Sequence, residues 1–91
     1  MLNNVNQLSN LEDNEIVRIV ESTSIDELVH ALYHADNPTI EKIKQTVEPR
    51  IFRKIKKHMK TVNQHTFDEI EYSVFLIKAN NLIYNAEGKE N

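Results

Sequence analysis

The 91-residue chain has no cysteine, one glycine and two prolines. Without cysteine there is no disulfide framework and no thiolate metal site. With so little glycine and proline, most of the residues that tight hairpins need are missing, so the expected fold is all-α. No apolar run approaches the ~18–20 residues that cross a bilayer. The opening MLNNVNQLSN lacks the basic-then-apolar order of a signal peptide. A cytoplasmic protein without membrane insertion is therefore expected. There is no glycine-rich phosphate loop, and no Ser/His/Asp or Cys/His arrangement can be argued from the spacing. The chain is read as no enzyme, with no cofactor and no metal. Its 40% apolar content suits one small domain with a thin core.

What is present is an uneven distribution of charge. Residues 42–60 hold eight Lys/Arg against Glu48, a local net of +7, whereas residues 1–41 hold eight acids against Arg18, a net of −7. The formal total is only −3. The basic stretch Val47–Val62 also carries an apolar stripe. Ile51, Phe52, Ile55, Met59 and Val62 recur at helical spacing. Pro49 suits a first helical turn, and Lys56, Lys57, His58 and Lys60 complement the negative end of the dipole. Arg50, Arg53, Lys54, Lys57 and Lys60 fall on the face opposite the stripe. Such a face usually meets water, but it also steers acidic partners.

In chain order, residues 1–9 are Asn-rich and read as a flexible lead. Residues 10–85 read as a single helical domain, and residues 86–91 as a flexible tail. Ser9 with Glu12, Ser24 with Glu27 and Thr66 with Glu69 each have capping-box spacing. They open helices at about 10–21, 25–34 and 67–85. Asn37 as cap and Pro38 at the first position open a short helix over 38–46, and the basic helix follows. The last helix is the longest and has two apolar stripes. One is Phe67, Ile70, Val74, Ile77 and Asn81; the other is Tyr72, Leu76, Ala79 and Ile83, with Phe75 beside it. A helix apolar on two sides normally lies under others, which makes it the expected backbone of the core.

Three constellations invite a chemical reading. His30 and His34, with Glu27 a turn earlier, could hold a zinc ion. The flanking pattern is not H-E-x-x-H and supplies at most three ligands, so a polar helix face is the expectation. Glu12/Asp13 and Glu69/Glu71 are paired carboxylates, each in a first helical turn where acids favour the dipole. The helices 38–46 and 48–61, joined by a tight turn, have the layout of a helix-turn-helix. In that alternative the chain is a small nucleic-acid-binding regulator, with Arg50, Arg53, Lys54 and Lys57 on phosphates and base edges. A sequence pI of about 5.8 opposes it.

From Ile16 to about Asn85 the chain resembles the C-terminal domain of the flagellar motor switch protein FliG, whose relatives include the helical N-terminal domain of MgtE-type magnesium transporters. Leu28, Ala31, Leu32 and Ala35 reproduce the family's L-x-x-A-L-x-x-A. Glu48 to Met59 stands where the family has a segment like x-S-x-R-A-A-x-x-L-x-x-D-x. Ile70-Glu71 stands at the V-E that opens the family's long last helix. The resemblance implies a compact five-helix orthogonal or superhelical bundle. It also implies a central helix acting as a charged ridge that faces the stator and generates torque. Arg50 falls at the ridge arginine, but Lys57 and His58 replace the acidic pair. Asn63 to Thr66 replace the Gly-Pro-Val-Arg turn. The armadillo-like middle domain and the ring-anchoring domain are not in the sequence, so a free-standing relative is expected.

The expectation is a protein-interaction module. Arg50, Arg53, Lys54, Lys57, His58 and Lys60 dock an acidic surface on a partner, in a flagellar motor, a secretion component or a related assembly. Self-association is a further expectation, because Tyr72, Phe75 and Tyr84 leave apolar surface that a second chain can cover.

Overall fold

The computed structural model describes the backbone of residues 1–88 and the side chains of residues 1–85. A 3-10 helix at Val5–Asn10 is followed by α1 (Asp13–Ser22), α2 (Ile25–Leu32), α3 (Asn37–Thr46), α4 (Pro49–Met59) and α5 (Glu69–Gly88). The fold is all-helical, with the five α-helices expected, though most of their starts differ. Ser9 does not cap α1; its hydroxyl donates to the Asn6 carbonyl. Glu12 is the cap and forms its capping box with Glu15. The Ser24–Glu27 box opens α2 as expected. Asp36, one residue before the expected Asn37, caps α3 by accepting the Thr39 amide at 3.0 Å. At α5 the cap is Asp68, which accepts the Ile70 amide at 2.9 Å. Thr66 instead donates its hydroxyl to the Thr61 carbonyl.

The centre of the fold is α2. Glu27, Leu28, Val29, Ala31 and Leu32 are all buried, because α2 packs along α5 on one side and against α4 on another. A helix buried nearly all round is what packing on several sides demands. The expected core backbone, α5, is covered on one side only. Phe75 and Ala79 are fully buried, so Phe75 does not leave the apolar surface expected for a second chain, whereas Ile70 and Ile77 of the other stripe, and Tyr84, are largely exposed.

The lead expected to be flexible is part of the core. Leu2, Val5 and Leu8 are at most 5% exposed. The polar residues around them are anchors. Asn80 of α5 clamps Leu2, accepting its amide at 2.6 Å and donating to its carbonyl at 2.9 Å. The Val5 amide donates to the Tyr72 hydroxyl at 3.1 Å. Asn6 Oδ1 accepts the Asp36 amide at 2.8 Å and the buried Thr39 hydroxyl at 3.2 Å. These bonds hold the 3-10 helix beneath α3. At the other end, the α5 backbone runs through residues 86–88 of the expected tail; residues 89–91 lie outside the described residues.

Candidate docking surface

The basic surface is built on α4. Pro49 occupies its first turn, where a missing N–H costs nothing. Phe52 and Ile55 are buried, and Ile51, Met59 and Val62 pack partly against the core. That anchoring turns Arg50, Arg53, Lys54, Lys57 and Lys60 outward, and all five are exposed, as is Lys56. Arg50 approaches Glu48 at 3.7 Å, but both side chains are at least 71% exposed, so this pair contributes little. Among the described residues no carboxylate lies within 4.0 Å of the other four ridge cations or of Lys56. His58 differs from the rest of the set. It is half-buried, and its Nδ1 lies 2.9 Å from the Lys54 carbonyl. A carbonyl only accepts, so Nδ1 carries the proton and the ring is committed to the last turn of α4.

Beside the ridge lies a cleft of about 220 Å³ that sequence reasoning did not find. Val20, Ile25, Leu28, Ile51 and Ile55 line it, with Glu21 of α1 and Lys54 of α4 also at its walls. Its residues come from three helices, so no local periodicity could have signalled it.

The other candidates are used structurally. His34 lies beyond the end of α2. Its ring meets Phe67 edge-on at 4.6 Å, and the His30 ring lies 6.0 Å from Phe67. His30 Nδ1 accepts the Asp68 amide at 2.9 Å, which ties α2 to the start of α5. Glu27 is turned away from both histidines toward Lys78 and Ser24. Asp13 pairs with Lys42 of α3 at 2.8 Å, and this cation holds its carboxyl below the usual carboxylate range. Hydrogen bonding from Thr39, whose amide lies 3.0 Å from Oδ1, lowers Asp36. Glu27, Asp13 and Asp36 are thus each occupied at a helix start or a helix–helix junction. Among the described residues no helix is long and apolar enough to cross a membrane.

No curated protein and no solved structure matches the chain significantly. A family model does match, described as the FliG C-terminal domain, over residues 2–80. That range starts at Leu2, the first buried residue, and ends at Asn80, the residue that clamps it. With the helical pattern and the fold in agreement, the chain belongs to the FliG C-terminal domain family.

Proposed function

We propose that this chain is a non-catalytic, cytoplasmic protein-docking module that binds an acidic protein surface through the exposed face of α4. The observation that carries this is the set Arg53, Lys54, Lys57 and Lys60, outward on one face with no carboxylate partner among the described residues. Family membership supports a protein partner of the flagellar-motor kind or in a related assembly. The resemblance adds a direction. Lys57 and His58 stand where the family carries acids, so this ridge selects a partner of opposite charge to the one an acidic pair would meet. Exposed charges of this kind act mainly on encounter rate and partner choice. His58 joins the set at the end of α4, with its Nδ1 held by the Lys54 carbonyl.

The test is capture from nuclease-treated lysate of its own cells, comparing wild type with Arg53→Glu/Lys57→Glu and identifying partners by mass spectrometry. Both residues are exposed, so the thermal midpoint stays within a few degrees of wild type. The expected result is at least a ~10-fold loss of specific protein partners by the double variant, with those partners presenting acidic surfaces. Unchanged capture by a folded variant would refute the ridge. Binding that disappears on nuclease treatment would favour the nucleic-acid alternative, with its steep salt dependence.

A further inference from the structure

The outward face of α5 has a pattern that the ridge reading leaves unused. Ile70, Ile77 and Tyr84 are 72%, 60% and 66% exposed and stand seven residues apart. Val74 and Asn81 lie between them at the alternating spacing of four and three. With Ile70, Ile77 and Tyr84 at d and Val74 and Asn81 at a, this is a two-heptad coiled-coil seam. It runs on the side of the helix opposite the buried Phe75 and Ala79, so the body of the protein does not obstruct it. Two of the residues flanking the seam are held by their own chain. Lys78 is bound to Glu27 at 2.8 Å, and Asn80 clamps Leu2. The seam therefore has apolar contact positions and no free like charge along its middle.

We propose that this seam pairs with the same seam of a second copy, forming a parallel two-fold α5–α5 dimer. Asn81 sets the orientation. In a parallel pair it meets the partner's Asn81 at a facing a position, and each amide can satisfy the other; a single polar a residue of this kind specifies register and a two-stranded state. In an antiparallel pair, a faces d, and in the registers of fullest overlap Asn81 meets an isoleucine with its amide unpaired, which costs free energy. Charge does not oppose the parallel arrangement. The e and g positions that face each other in the parallel pair are Ser73 with Lys78 and Asn80 with Asn85, and no like-charged pair arises. From residue 70 to 84 the seam spans about 21 Å. Two heptads are fewer than the ~3–4 that sustain a coiled coil alone, so the dimer is weak and concentration-dependent.

The α5 pairing does not depend on the ridge of α4. It is tested by sedimentation equilibrium of the full chain up to ~1 mM, together with single-cysteine crosslinking, which the absence of native cysteine makes unambiguous. Wild type is expected to show a reversible monomer–dimer equilibrium. Ile77→Glu, and independently Ile70→Glu, should weaken it more than 10-fold while the dilute-sample melting curve is unchanged. Val74→Cys should form a disulfide-linked dimer on mild oxidation; Lys60→Cys, on the ridge, should not. A monomer at ~1 mM, or a dimer insensitive to both glutamates, overturns the proposal. A dimer in which the Val74→Cys variant fails to crosslink overturns the parallel arrangement.

Discussion

Glu27 holds three hydrogen bonds through its carboxylate. Oε1 accepts the Ser24 amide at 2.9 Å and the Lys78 ammonium at 3.0 Å, while Oε2 accepts Lys78 at 2.8 Å. Lys78 first, then the Ser24 amide, hold the carboxyl below its ordinary value, and burial opposes them without prevailing. A group whose folded pKa is depressed adds stability above its unfolded pKa and loses it as pH falls through the folded value. For Glu27 that stability is complete well above ~4.3 and fades below it. Glu27→Gln keeps a cap acceptor but loses the ion pair. Lys78 is 46% exposed, so solvent screening trims the effect to about 1 kcal/mol at pH 7. That corresponds to roughly 4–8 °C in Tm for a chain of this size. Melting curves at pH 7 and pH 3 should show the gap between wild type and variant closing at the lower pH. A gap independent of pH would mean that the pair does not lower the Glu27 pKa.

At the scale of elements, the N-terminal 3-10 helix is the sharpest case. Leu8 is 1% exposed, and Leu8→Ala is expected to cost about 2–5 kcal/mol in urea denaturation, as a core deletion does. A flexible lead would give less than ~0.5 kcal/mol. Asn-rich sequence reads as lead because asparagine alone does not reveal what it bonds. Asn6 and Asn80 bond Asp36, Thr39 and Leu2, residues tens of positions away. The helix starts follow the same logic. The stretches Ser9–Asp13, Asp36–Asn37 and Thr66–Asp68 each offer several residues able to cap. Tertiary bonds accompany the choice where Asp36 donates its amide to Asn6 and Asp68 donates its own to His30. Only at Ser24, where the next eligible glutamate stands three residues on, was the cap legible locally. The amphipathic α4, with one apolar stripe and one basic face, was fully legible. In α5 both stripes could be read, but periodicity carries no information on which stripe its own chain covers.

At the scale of the whole molecule, the question is which charge a partner senses. The formal total is −3, yet the surface of α4 is strongly positive. The body measures 43 × 27 × 20 Å. At 0.01 M salt the screening length is ~30 Å, wide enough to sum charge across the shorter dimensions. An anionic surface then meets a net anion and repels it. At 0.1 M the length falls to ~10 Å, shorter than any dimension of the body, and the same surface senses the ridge alone. At 1 M it is ~3 Å and the attraction is gone. Retention on a sulfonate matrix at pH 7 is therefore expected to rise and then fall with salt, with a maximum near ~0.1 M. Arg53→Glu/Lys57→Glu should abolish that maximum while leaving retention on a cationic matrix intact. A monotonic decline from the lowest salt would mean that the ridge governs at all distances. Absence of retention at every salt would mean that the neighbouring acids mask it, and the proposed docking face would lose its electrostatic basis.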